Sequence, residues 1–312
     1  MKSAASLGQT ALAAAPPADV VDLDAVGGRT SAYLSLTKPR IVLLVVITVG
    51  VGFLLGARGS AHPTTLAATL IGSALVAGGA SALNMYLERA RDARMRRTRR
   101  RALPSGRLAP IEAAAFGVAL GVVGTLILLA GANAMAAGVA LTTLILYVCV
   151  YTPLKTMTTL NTAVGAIPGA LPAVIGWTAA TGTLSVEAWT LFLIVFLWQF
   201  PHFLAIAWIY REDYAKGGMR MLPEFDPQGV VTGRQATLYA LALVPAGLLP
   251  TVVGLAGPTY FFGALAFGLF YLTAAARFWA DVNDATARRL LRASFLYLPA
   301  VLLLLVLNPL PA

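Results

Sequence analysis

Apolar residues in this chain come in uninterrupted blocks separated by short polar breaks, with neither the alternation of strands nor a narrow stripe. A helix rises ~1.5 Å per residue, so a hydrocarbon core of ~30 Å takes about 20 residues to cross. Nine blocks meet that length: 39–57, 64–87, 110–129, 133–151, 159–179, 186–210, 233–255, 258–278 and 290–307. Blocks seven and eight are parted only by Ala256 and Gly257, the one place where a merger would give eight. The pattern predicts an all-α polytopic membrane protein with nine transmembrane helices.

Composition narrows the choice of class. Of 312 residues, 58% are hydrophobic and 12% charged, against about a quarter charged in a soluble domain. That excludes an ordinary soluble enzyme, a disordered regulator and a disulfide-built secreted scaffold; the lone Cys149 permits no internal disulfide. The net charge of +10 is explained by the positive-inside rule, and no nucleic-acid partner is expected. With the N-terminus inside, the cytoplasmic segments hold four, nine, one, four and four of the 23 Lys and Arg; only Arg58 remains outside. An eight- or ten-helix count breaks this alternation. The expected orientation is N-terminus cytoplasmic and C-terminus outside, in the cytoplasmic (inner) membrane. Residues 1–36, low in complexity and rich in Ala, are read as a disordered cytoplasmic tail.

Polar chemistry gathers at the inner ends of the spans. Asn84, Glu88 and Asp92 are spaced by four, which puts three oxygen-bearing side chains on one helix face. Oxygen ligands of this kind suit Mg²⁺ bridging to a substrate phosphate; the alternative is a charge ladder at a helix end. The run 94–101 holds Arg94, Arg96, Arg97, Arg99, Arg100 and Arg101, more cations than a topology signal needs. Guanidinium forks grip phosphate or carboxylate, and they also touch anionic lipid. Tyr151 and Lys155 set a phenol and an ammonium four apart; Lys155 has interfacial snorkelling as its competing role. In block six, Pro201 predicts a kink or break, with Gln199 and His202 on one side at membrane depth. Block six ends in a second cluster of acids and bases, Arg211 to Lys216.

The series Asn84-xxx-Glu88-xxx-Asp92, followed by Arg97-Thr98-Arg99-Arg100-Arg101-Ala102-Leu103-Pro104-Ser105-Gly106, resembles the UbiA superfamily of intramembrane prenyltransferases. Thr37-Lys38-Pro39-Arg40, Tyr151-xxx-Lys155, Gly165-Ala166-Ile167-Pro168-Gly169, Trp198-Gln199-Phe200-Pro201-His202-Phe203 and Arg211-Glu212-Asp213-Tyr214 are similar to its haem-farnesylating members. The resemblance implies a single prenyltransferase domain over 37–308. Its helices would surround a central cavity open to the cytoplasmic face, with active-site loops at 88–109 and 210–233. It implies transfer of farnesyl from farnesyl diphosphate to a vinyl group of haem b, giving haem O for terminal oxidase assembly. Asn84, Glu88, Asp92 and Asp213 would be Mg²⁺ ligands and, with Tyr151 and Lys155, the catalytic set. Lys38, Arg97 and Lys216 would bind diphosphate, and His202, Gln199 and Arg101 would bind haem. The implied partners are haem b, farnesyl diphosphate, the bilayer and a haem A synthase.

Two positions depart from the superfamily pattern. Glu88 stands where many members have Asp, and Asp213 is followed four later by Gly217 rather than by a second acid. A prenyltransferase for an aromatic or quinone precursor shares the acid motifs, and a transporter is the non-enzyme alternative. A transporter would carry acids at mid-span, whereas these cluster at inner ends.

Overall fold

A computed structural model describes residues 28–310. Among these residues nine helices are long and apolar enough to cross a membrane. A short helix, α1 (Arg29–Leu36), precedes the first crossing, α2 (Pro39–Ala57), and the second, α3 (Pro63–Asp92). Next come α4 (Pro110–Gly131) and a fourth crossing made of α5 (Ala134–Ile145), a π-helical turn (Leu146–Tyr151) and α6 (Thr152–Leu154). Then follow α7 (Asn161–Thr181), α8 (Val186–Ile209), the short α9 (Arg211–Lys216) and α10 (Leu222–Phe225), α11 (Val230–Val252), α12 (Pro258–Ala280) and α13 (Asp284–Leu307). Proline opens α2, α3, α4 and α12, where its fixed φ suits the first turn and its missing N–H is not needed.

Two groups of crossings pack side by side. In the first, α2 lies against α3, α3 against α4, α4 against α5, α5 against α7, and α7 returns to α2. In the second, α8, α11, α12 and α13 pack in sequence and α13 closes back on α8. The groups meet where α7 touches α8 and α13 touches α2. Lipid tails give helices no hydrophobic reason to associate, so close backbone approach matters. The α3–α4 seam shows it: a Cβ added at Gly79 would come 2.6 Å from the carbonyl oxygen of Gly117.

Two expectations change. The tail does not extend to residue 36, because 29–36 form α1; residues 1–27 lie outside the described part. Ala32 and Leu36, one turn apart, bury against Ala82, Met85, Leu103 and Ala113, while Arg29 pairs with Glu112. At eight residues this helix is too short to show the stripe as a periodic signal. Block six does not break at Pro201 either, since α8 runs through it from Val186 to Ile209. One missing N–H is tolerated in a span packed against three neighbours.

The site is built around α3. Its thirty residues span ~45 Å at 1.5 Å each, more than a bilayer core. The last turns therefore carry Glu88 and Asp92 on the same rigid helix as the membrane-embedded Asn84.

Candidate active site

Asn84, Glu88 and Asp92 are 1%, 3% and 1% exposed, far too buried for a solvated charge ladder. Each has a partner from another part of the chain. Lys38 Nζ donates to Asn84 Oδ1 at 3.1 Å, Lys155 Nζ to Glu88 Oε1 at 2.8 Å, and Arg101 Nη1 to Asp92 Oδ2 at 2.9 Å. Asn84 also donates from Nδ2 to Thr152 Oγ1 at 3.0 Å. The N-cap of α2, the basic loop 93–109 and the fourth crossing thus converge on one face of α3.

Local structure explains how each cation gets there. Lys38 sits in the left-handed region, φ 51°, directly before Pro39. That conformation costs a β-carbon-bearing residue roughly 1–2 kcal/mol and marks a position held by its surroundings. Burial, then repulsion from Arg101 and Lys155, pushes its ammonium down to about 7 despite Glu88 and Asp92. Lys155 follows the π turn. Pro153 brings no N–H to the helix ladder, and Thr152 Oγ1 donates back five residues to the Tyr147 carbonyl at 2.8 Å. The widened turn presents the Tyr151 ring to Lys155 Nζ, 4.5 Å from its centroid. Burial disfavours the Lys155 charge, but Tyr151 and Glu88 outweigh it and hold the pKa above the ordinary lysine value. Gly165 on α7 makes room for Tyr151, since a Cβ there would overlap the ring.

The two cytoplasmic loops dock on each other. Asp213 on α9 accepts from the backbone N–H of Arg97 at 3.2 Å and of Arg96 at 3.4 Å. Arg97 lies over the rings of Tyr210 and Tyr214, 4.7 and 5.5 Å from their centroids. Beneath them Met95 buries with Ala207, Met219 and Met221. Thr98 Oγ1 donates to the Asp92 carbonyl at 2.8 Å, which ties the basic loop to the end of α3. Lys216 is exposed.

His202 and Gln199 do not share a neighbour. Gln199 donates to the carbonyls of Ala166 on α7 and Val195, and lies so close to Gly169 that a Cβ there would overlap it. His202 turns instead to α13, its Nδ1 2.7 Å from Ser294 Oγ. That hydroxyl donates its single proton to Leu291 O at 2.6 Å, so it accepts from Nδ1–H. Nε2 then carries the lone pair and has no partner among the described residues. Trp198 stacks on the imidazole at 4.8 Å and donates from Nε1 to the Ser294 carbonyl. Arg101, expected near a propionate, is on Asp92.

The profile of the UbiA prenyltransferase family matches residues 45–310. The chain belongs to this family. It is similar to the protoheme IX farnesyltransferase of Solibacter usitatus, 45% identical over 285 residues covering 88% of this chain and 98% of the relative. It is also similar to that of Salinibacter ruber, 43% identical over 276 residues covering 88% and 98%. Among solved structures, a digeranylgeranylglyceryl phosphate synthase superposes with a TM-score of 0.76 at 18% identity, over 90% of this chain and 98% of its own. A UbiA homolog from Archaeoglobus fulgidus bound to GPP and Mg²⁺ gives 0.64 at 17%, over 88% and 99%. These share the fold. The chain is a multi-pass integral membrane prenyltransferase.

The ladder has a donor set that fits a hard divalent ion. It offers an amide oxygen and two carboxylates, and Asp92 Oδ1 is buried without a hydrogen-bond partner among the described residues. A sealed, unpartnered carboxylate oxygen is costly unless something occupies it. Asp213 has both oxygens on backbone N–H groups, so it holds the arginine loop in place. Four contributors escaped the sequence: Thr152, Thr98, Met95 and Ser294. Ser294 left one faint signal, a hydroxyl inside an apolar span.

Proposed function

We propose that this chain transfers the farnesyl group of farnesyl diphosphate to a vinyl group of haem b, giving haem O for terminal oxidase assembly. The observation that carries the reading is the buried acid ladder encircled by Lys38, Lys155 and Arg101, in a chain 45% identical to a protoheme IX farnesyltransferase. Such a site is built for charge that grows on a leaving diphosphate.

Ionisation of an allylic diphosphate separates a farnesyl cation from a leaving group that gains negative charge. Lys155, Lys38 and Arg97 receive that charge, with Lys216 at the rim. Tyr151 keeps the Lys155 ammonium against its ring face. Bound at Asn84, Glu88 and Asp92, Mg²⁺ would supply Lewis-acid stabilisation of the diphosphate oxygens; Asp213 orders the loop that brings Arg97 alongside. The vinyl π electrons of haem b form the new carbon–carbon bond, and water adds to the resulting cation and loses a proton to solvent, leaving a hydroxyl. His202 offers Nε2 to the haem iron, with Trp198 and Ser294 fixing the ring, and Gln199 shapes the wall between α7 and α8; Arg101 pairs with Asp92. These residues would line a central cavity open to the cytoplasmic face. Both substrates are membrane-soluble, and burying fifteen carbons at ~0.8 kcal/mol each keeps the chemistry in the bilayer.

An aromatic or quinone precursor would need neither His202 nor the arginine run. A transporter would need acids at mid-span, whereas Glu88, Asp92 and Asp213 stand at helix ends. In nanodiscs, diphosphate release from farnesyl diphosphate should require haem b, with no release when a hydroxybenzoate replaces it. Equal release with either acceptor contradicts haem as substrate.

The setting is the cytoplasmic (inner) membrane, with the N-terminus inside, the C-terminus outside, and a haem A synthase as the partner that takes the product. Cysteine labels at Ser105 and Gln228 should then react only from the cytoplasmic side, and a label at Thr183 only from outside. Any swap overturns the orientation.

A further inference from the structure

Each carboxylate of the ladder already has a cation of its own. Lys155 holds Glu88 at 2.8 Å and Arg101 holds Asp92 at 2.9 Å, each from a different element, while Lys38 holds Asn84. Two buried carboxylates one helical turn apart repel each other, and the two ion pairs neutralise them. A divalent ion entering this cluster would add two charges to a region already crowded with ammonium and guanidinium groups. In a poorly hydrated place that repulsion is not screened away. The cations also lie outside the acids. The Arg101 and Lys155 side chains are 23% and 12% exposed, against 1% for Asp92 and 4% for Glu88. An anion arriving from the loop side therefore meets the cations before a metal can meet the carboxylates.

We infer that Lys155 and Arg101 occupy the ladder in place of a divalent ion, and release the carboxylates only when a diphosphate arrives to take their charge. The inference rests on the proposed metal–diphosphate reading and adds an order to it. Metal alone is bound only weakly against the protein's own side chains; metal with diphosphate is admitted. Linkage makes the effect reciprocal, so the metal strengthens diphosphate binding by the same factor. Asp92 Oδ1 is buried and has no hydrogen-bond partner among the described residues while both cations are seated.

Full-length protein in nanodiscs, titrated with Mn²⁺ at pH 8 and followed by electron paramagnetic resonance, tests this directly. Wild type should bind Mn²⁺ alone weakly. Lys155→Met and Arg101→Met should each bind it about tenfold or more tightly, because each removes one resident cation. Arg99→Gln, which removes an equal charge from an exposed position of the same loop, should match wild type. Farnesyl thiolodiphosphate should tighten Mn²⁺ binding strongly in wild type and by less in the two Met variants. The two variants alter different elements, so misfolding of one leaves the other to decide. Met variants that bind Mn²⁺ alone no more tightly than wild type overturn the inference while leaving the metal site standing. A wild type that takes up no Mn²⁺ even with the thiolodiphosphate overturns the metal reading itself.

Discussion

Asp92→Asn should lower kcat by about 10³-fold while leaving expression and membrane insertion intact. The substitution keeps the side-chain volume, and an amide oxygen can still accept from Arg101 Nη1. It fails at the other oxygen. Asp92 Oδ1 is buried and has no partner among the described residues, and Asn either puts an NH₂ group there or surrenders Arg101. In both arrangements one negative charge is lost from a site meant to hold a cation against diphosphate. Initial rates measured across a Mg²⁺ titration check this, with thermal unfolding in detergent as the control for folding. A rate near wild type would remove the ladder from the chemistry.

His202→Ala should weaken haem b binding by about 10–100-fold and leave the affinity for farnesyl thiolodiphosphate unchanged. The imidazole is held on three sides, by Trp198 stacked at 4.8 Å, by Ser294 at 2.7 Å and by edge contacts from Phe203 and Phe295. Its Nδ1 is committed as donor, which leaves Nε2 as the basic nitrogen, the form an iron ligand takes. Ser294→Ala keeps the imidazole but releases its tautomer, and should fall between wild type and His202→Ala. A Soret-band titration reads both variants. A merely structural histidine predicts that both ligands weaken together.

The nine crossings were legible because lipid demands length and apolarity from contiguous residues, and Asn84, Glu88 and Asp92 because four-residue spacing is a local property. What stayed hidden depends on contacts between distant segments. No spacing rule joins Asp213 to the backbone of Arg96 and Arg97, 117 and 116 residues away. Likewise the three cations on the ladder are recognisable as basic residues, but their one-to-one assignment to Asn84, Glu88 and Asp92 comes from tertiary packing. The π turn was missed because nothing in Leu146–Tyr151 differs from ordinary helical sequence; Pro153 and the Thr152 hydroxyl create it afterwards. Gln199 and His202 show the limit of helical arithmetic. Three residues turn a helix by ~300°, and the remaining ~60° is enough to send one side chain to α7 and the other to α13.

The central claim is that this acid ladder and its cations farnesylate haem. Purified protein in nanodiscs, given farnesyl diphosphate, Mg²⁺, haem b and a hydroxybenzoate together in ¹⁸O-labelled water, tests it in one reaction read by mass spectrometry. The account predicts a haem product that gains one farnesyl group and one ¹⁸O-labelled hydroxyl, with the hydroxybenzoate returned intact. A farnesylated hydroxybenzoate beside unaltered haem b would contradict it.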